Sequence, residues 1–147
     1  MAYVSLDTQQ VKRANKKHKY TKEQVLQLEK CMDEKTGPLY FMKTFMKIQH
    51  PTKGEMAFKP YPYQERLIES YNSHRFSISM LPRQTGKTTC ASGYIIWYAM
   101  FKPDSQILIA AHKYAGASDI MSRVRYAYEM LPGWIKAGVN SYNRNSI

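Results

Sequence analysis

The residues best suited to chemistry in this chain are Gly86, Lys87 and Thr88, which match the second half of the phosphate-binding pattern G-x-x-x-x-G-K-[ST]. In such loops, backbone N–H groups point at phosphate oxygens, and the start of the following helix adds the positive end of its dipole. We therefore expect Lys87 to contact the β- and γ-phosphates of ATP, and the Thr88 hydroxyl to complete the ligand shell of Mg²⁺. The pattern's first glycine is missing, because Leu81 occupies that position.

The context expected of this pattern is a strand before the loop and a helix after it. Before it, Phe76, Ile78 and Met80 alternate with other side chains, which predicts a strand. After it, small residues and an apolar run over 93–100 predict a helix that ends near Pro103. The alternative is a strand–turn–helix crossing with an exposed lysine and no ligand.

A second apolar run, 106–112, follows that helix and is continuous rather than alternating, which suits a parallel sheet covered on both faces. Residues 118–131 then carry apolar side chains at helical spacing before Pro132 and Gly133 stop the pattern. Strand, helix, strand and helix in this order predict an α/β fold with a three-layer parallel sheet.

The part of the chain before the first predicted strand is divided by composition. Residues 1–22 carry six basic side chains against the single acid Asp7, which predicts a mobile basic leader. Thr21 and Gln24 are spaced as a capping box, and a short buried helix is expected over 39–48. We therefore divide the chain into the leader 1–22, a helical region 23–60 and a nucleotide-binding region 61–147.

Composition limits the classes of protein to consider. The 147 residues suffice for about one domain, and 44% hydrophobic residues suffice for a packed core. A net charge of +11 indicates a polyanionic partner such as nucleic acid. Cys31 and Cys90 have no metal-ligand spacing and fit a reducing compartment. The sequence contains neither a signal peptide nor an apolar run of about 18 residues, so no membrane partner is expected.

Tyr63 and Gln64 lie about twenty residues ahead of Lys87. A glutamine amide matches the amine and ring nitrogen of adenine in a bidentate hydrogen bond, and a tyrosine ring stacks on a base. The alternative is an ordinary surface pair without a ligand.

Three stretches together resemble the large terminase subunit of T-even-type tailed bacteriophages: FKPYPYQERLIESY, SMLPRQTGKTT and ILIAAHKYAGASDIMSRVRYAYEMLPGWIKAGV. The resemblance runs from about Tyr40 to the last residue. The family's phosphate loop lacks the first glycine, carries an arginine two residues later and follows the pattern R-Q-x-G-K-T-T. Residues 83–89 match this pattern, and the family's adenine-contacting glutamine falls on Gln64.

The resemblance implies a fold and a function. The fold is a P-loop NTPase (RecA/ASCE-like) domain with an incomplete parallel sheet, preceded by a small helical region. The function is binding of ATP and Mg²⁺ in a motor that packages double-stranded viral DNA into the procapsid. The implied nucleotide site consists of Tyr63, Gln64, Arg83, Gln84, Thr85, Gly86, Lys87, Thr88 and Thr89. Arg83 and Lys87 are its implied catalytic residues, with Arg83 either stabilising transition-state charge or positioning ground-state phosphate.

The resemblance also implies partners, an oligomeric state and a cellular location. The partners are the portal protein and the small terminase subunit, the full-length motor is a homo-oligomeric ring, and its place is the host cytoplasm at the procapsid portal. The family's acidic Walker B strand and C-terminal nuclease do not follow in these 147 residues. We therefore expect a chain truncated before Walker B that hydrolyses ATP negligibly by itself.

Two other functions remain open on the sequence. A superfamily-2 helicase or translocase also places a glutamine upstream of its phosphate loop. A DNA-binding or adaptor fragment without enzymatic activity would use only the basic leader and surface.

Overall fold

The computed structural model describes residues 11–15, 17–50, 52, 54–143 and 146–147. Within them the chain forms five helices and one two-stranded antiparallel sheet. In chain order the elements are α1 (Lys22–Met32), α2 (Gly37–Phe45), β1 (Lys47–His50), β2 (Gly54–Ala57), α3 (Pro62–Ser73), α4 (Lys87–Phe101) and α5 (Tyr114–Glu129).

The first helix begins where the capping box predicts. The backbone N–H of Gln24 donates to Thr21 Oγ1 at 3.3 Å, and the backbone N–H of Thr21 donates to Gln24 Oε1 at 3.0 Å. Two N–H groups that the first helical turn leaves without an intrahelical acceptor are thereby satisfied. This prediction is confirmed.

The short helix predicted over 39–48 is only partly right. Helix α2 ends at Phe45, and the chain then pairs as a hairpin in which Lys47 lies opposite Ala57 and His50 opposite Gly54. Between the two strands, residues 51 and 53 lie outside the described residues. The hairpin pairing depends on a partner several residues away, so the helical spacing of 39–48 does not reveal it.

The predicted α/β fold, a P-loop NTPase with a three-layer parallel sheet, is wrong. Neither 76–82 nor 106–111 forms a ladder with any described segment, and the one sheet is the β1–β2 hairpin. Ile78 and Met80 are 97% and 95% exposed, and Leu108 is 91% exposed. A strand of a parallel sheet needs neighbours on its edges and cover on both faces, and these segments have neither here.

The core instead forms where α2, α3, α4 and α5 pack together. Its centre is Trp97 on α4, which is fully buried against Phe101 and the ring of Tyr94. The indole Nε1–H of Trp97 donates to the backbone carbonyl of Cys31 at 2.7 Å, which joins α4 to the end of α1. This bond satisfies both a buried indole donor and one of the terminal carbonyls of α1.

A segment of the basic leader is docked on the rest of the chain. Arg13 forms a parallel bridge with Val139, and Val11 is buried in the core. The backbone N–H of Val139 donates to the carbonyl of Lys12 at 2.9 Å, and that of Ala14 donates to the carbonyl of Val139 at 3.2 Å. The first ten residues of the leader and Lys16 lie outside the described residues. Residues 11–14 therefore pack against residues more than 120 positions away.

None of the helices in the described part of the chain is both long enough and apolar enough to cross a membrane.

Candidate functional site

The phosphate-binding pattern lies at the start of α4, as the sequence predicts. Lys87 is the first residue of this helix, and Gly86 before it has left-handed backbone angles of φ 75° and ψ 15°. Gln84 also has a positive φ of 64°. Glycine adopts such angles without steric cost, and the first N–H groups of the helix that follows have no intrahelical acceptor.

The side chain of Lys87 folds back over this loop. Its Nζ donates to the carbonyl of Pro82 at 3.1 Å and to that of Leu81 at 3.4 Å. The hydroxyl of Thr85 donates to the same Pro82 carbonyl at 3.0 Å. The loop thus curls around an ammonium group whose present acceptors are neutral carbonyls, and a phosphate oxygen is a stronger acceptor for that group.

Tyr63 and Gln64 on α3 meet this loop at one backbone atom. The Tyr63 hydroxyl donates to the carbonyl of Thr85 at 2.9 Å, and Gln64 Nε2 donates to the same carbonyl at 3.0 Å. The other end of the Gln64 amide, Oε1, accepts from the backbone N–H of Tyr61 at 2.9 Å. The two residues that the sequence assigns to adenine therefore contact the loop before α4.

The remaining residues of the implied site follow the loop. Arg83 and Gln84 are exposed at its outer turn, while Thr88 and Thr89 are half-buried in the first turn of α4. All nine implied residues thus lie either on the segment 83–89 or at the start of α3, which hydrogen-bonds to it. Their contribution to catalysis or to base recognition stays a prediction.

These residues fit a phosphate group with a magnesium ion. A helix start, a left-handed glycine and a lysine supply N–H donors and one positive charge. Among the described residues, no three His, Cys, Asp or Glu side chains form a group that could hold a metal. Mg²⁺ does not require such a group, because it commonly keeps several waters and takes its other ligands from phosphates and one or two side chains.

The cysteine beside the loop supplies no nucleophile. Cys90 is fully buried on α4, and this burial raises the pKa of its thiol to about 11. Burial likewise raises the pKa of Cys31 to about 12. Both thiols are therefore protonated at neutral pH, and only the thiolate form is strongly nucleophilic.

A cavity of about 860 Å³ lies away from the loop. It is lined by apolar side chains of α4, α5 and the segment 107–109, among them Ile95, Ile96, Ile107, Leu108, Met121 and Val124. None of residues 82–89 lines it. This cavity is therefore separate from the candidate site, which is a loop at a helix start.

Sequence reasoning missed the bonds from Tyr63 and Gln64 to Thr85. A signal for part of this arrangement was present, because Gln64 is the third residue of α3 and a glutamine there commonly reaches back to the N-cap backbone. The second bond, to Thr85, joins residues 21 apart in the sequence and has no local signature.

A comparison with models of known protein families matches none of them to this chain.

Proposed function

We propose that Gly86, Lys87 and Thr88 bind the phosphates of Mg·ATP, as the nucleotide-binding part of a motor that packages double-stranded viral DNA. The observation that carries this proposal is the position of Lys87, at the first turn of α4 and directly after a left-handed glycine. Its ammonium group lies over the loop against two carbonyls that a phosphate can replace. The packaging role rests on the resemblance of the three quoted stretches to large terminase subunits.

The proposal depends on the loop and the helix, not on a parallel sheet. Anion binding at a helix start requires oriented N–H groups, a turn that exposes them and a nearby cation. Gly86 and Lys87 supply these features in the described structure. Bound Mg·ATP would place a phosphate at the N–H groups of this turn, with Lys87 as its counter-charge and Thr88 beside the metal.

The role of Thr88 gives a direct test. Wild-type chain is expected to bind Mg·ATP more tightly than ATP in the presence of EDTA. In Thr88→Val a methyl group of the same shape replaces the hydroxyl ligand. The ratio of the affinity for Mg·ATP to that for ATP without magnesium should therefore fall at least about tenfold. Isothermal titration calorimetry with and without magnesium measures both values.

The matched control is Thr44→Val, which changes an exposed threonine on α2 in the same way. It should keep the full magnesium dependence. Wild-type chain that binds neither Mg·ATP nor free ATP at millimolar concentration would contradict the proposed function.

The second part of the proposal is that the chain binds double-stranded DNA independently of its base sequence. A packaging motor has to move along any sequence, so its contacts should fall on phosphates. Lys17, Lys19 and Lys22 are exposed in the basic leader. The Nζ of Lys12, by contrast, donates to the carbonyl of Lys136 at 3.0 Å and so has a structural role.

We expect Lys17→Gln, Lys19→Gln and Lys22→Gln together to weaken binding of a duplex and to flatten its salt dependence. Each lost phosphate contact should reduce the slope of log K against log salt by about 0.9. Fluorescence anisotropy with two unrelated duplexes at several salt concentrations measures this slope. A second triple variant, Lys35→Gln, Lys59→Gln and Lys113→Gln, removes the same charge from exposed positions outside the leader. Equal changes in both variants would show that net charge, rather than the leader, binds the duplex.

A further inference from the structure

The amide of Gln64 is placed to hold the phosphate loop rather than to recognise a base. A bidentate bond to adenine requires Oε1 and Nε2 to face the ligand together. In the structure Oε1 faces the Tyr61 backbone N–H and Nε2 faces the Thr85 carbonyl, and the residue is only 6% exposed. The reversed amide would set oxygen against a carbonyl and NH₂ against an N–H, so the network permits only this orientation.

The carbonyl of Thr85, which accepts hydrogen bonds from Tyr63 and Gln64, belongs to the same peptide as the N–H of Gly86. The described chain contains no cis peptide bond, and in a trans peptide the C=O and the following N–H point in opposite directions. The two bonds to the Thr85 carbonyl therefore aim the N–H of Gly86 away from α3. This N–H belongs to the loop that the proposed function assigns to phosphate.

The peptide between Thr85 and Gly86 needs such a constraint. Gly86 has no Cβ and adopts positive and negative φ about equally well, so rotation of the preceding peptide meets little steric resistance. The Gln64 amide also lies directly against this glycine, because a Cβ added to Gly86 would come within 2.6 Å of Nε2. Two donors on one carbonyl fix a peptide that the glycine would otherwise leave free to turn.

We propose that Tyr63 and Gln64 are positioning residues of the phosphate loop, and that binding at this loop depends on the triphosphate and not on the base. The inference rests on the proposed function for its ligand. Its structural part, the fixed Thr85–Gly86 peptide, is testable without any ligand.

The first experiment compares three ligands by calorimetry: Mg·ATP, Mg·GTP and magnesium tripolyphosphate. Tyr63→Phe removes one hydroxyl and keeps the ring, and Gln64→Met removes the amide at similar length and without charge. Each variant should weaken the binding of all three ligands by the same factor, about 3- to 10-fold for the loss of one neutral hydrogen bond to the Thr85 carbonyl. Wild-type chain should bind Mg·ATP and Mg·GTP with affinities within about threefold of each other. Tyr61→Phe, which alters the neighbouring ring stacked on Tyr63, should change none of these affinities.

The second experiment follows the Gly86 amide by NMR in ligand-free chain labelled with ¹⁵N-glycine. The chain has seven glycines, and Gly86→Ser identifies the signal of interest. Tyr63→Phe and Gln64→Met should both shift or broaden the Gly86 signal, whereas Tyr61→Phe should not.

The outcomes separate the inference from the proposed function. Loss of Mg·ATP binding alone in Gln64→Met, with Mg·GTP and tripolyphosphate unaffected, would show that the amide recognises adenine and would overturn the inference. An unmoved Gly86 signal in both variants would overturn it as well. Wild-type chain that binds none of the three ligands would overturn the proposed function and the statement about the base, while a shifted Gly86 signal would still support the positioning of the loop.

Discussion

We expect Lys87→Ala to weaken binding of Mg·ATP by about 10- to 150-fold, which corresponds to about 1.5 to 3 kcal/mol for a hydrogen bond to a charged group. The substitution removes the one side-chain cation at the first turn of α4 and leaves the loop's backbone donors in place. Calorimetric titration of wild-type and variant chains under the same conditions measures the ratio of their dissociation constants.

This substitution should scarcely change the stability of the free chain. Lys87 is exposed and donates only to two loop carbonyls, so the free energy of unfolding should shift by no more than about 0.5 kcal/mol. Lys22→Ala is the matched control, because Lys22 is also exposed and is also the first residue of a helix. Equal affinities of wild type and Lys87→Ala for Mg·ATP would remove Lys87 from the site.

The largest effect on folding is expected from Trp97→Ala, which should lower the free energy of unfolding by about 3 to 5 kcal/mol. Trp97 is fully buried at the centre of the helical core, so its removal leaves a cavity. Domains of this size are stable by only about 5 to 15 kcal/mol. Urea denaturation followed by far-UV circular dichroism measures the difference.

A second variant covers the case in which Trp97→Ala does not fold. Trp97→Phe keeps most of the volume but loses the donor to the carbonyl of Cys31, which costs about 1 to 3 kcal/mol for an unsatisfied buried group. Phe101→Leu, which changes a half-buried ring one helical turn further along, should cost less than either. A loss below about 1 kcal/mol in Trp97→Phe would show that the bond to Cys31 contributes little.

Features that depend on a few neighbouring residues follow from the sequence. The spacing of Thr21 and Gln24 predicts the start of α1. The G-K-T triplet likewise predicts a helix that begins after the loop, and Lys87 is the first residue of α4. In each case the hydrogen bonds that define the feature lie within one turn of the chain.

Features that depend on distant residues do not follow from the sequence. The alternation of Phe76, Ile78 and Met80 predicts a strand, but it does not indicate which segment would pair with that strand. In the described chain these side chains face outward, and the predicted parallel sheet is absent. The contacts of Gln64 with Thr85 and of Trp97 with Cys31 are equally long-range, and each pairs a side chain with a backbone atom whose position only the fold determines.

The bridge between Arg13 and Val139 has a consequence for mechanical load on the two segments that it joins. The two paired segments run parallel, so tension applied at Val11 and at Asn140 pulls them in opposite directions along their length. The bonds from Val139 to Lys12 and from Ala14 to Val139 lie across that direction, and they are loaded in shear together rather than opened one after another. A force between these two points is therefore resisted by these backbone bonds together with the packing of Val11 in the core.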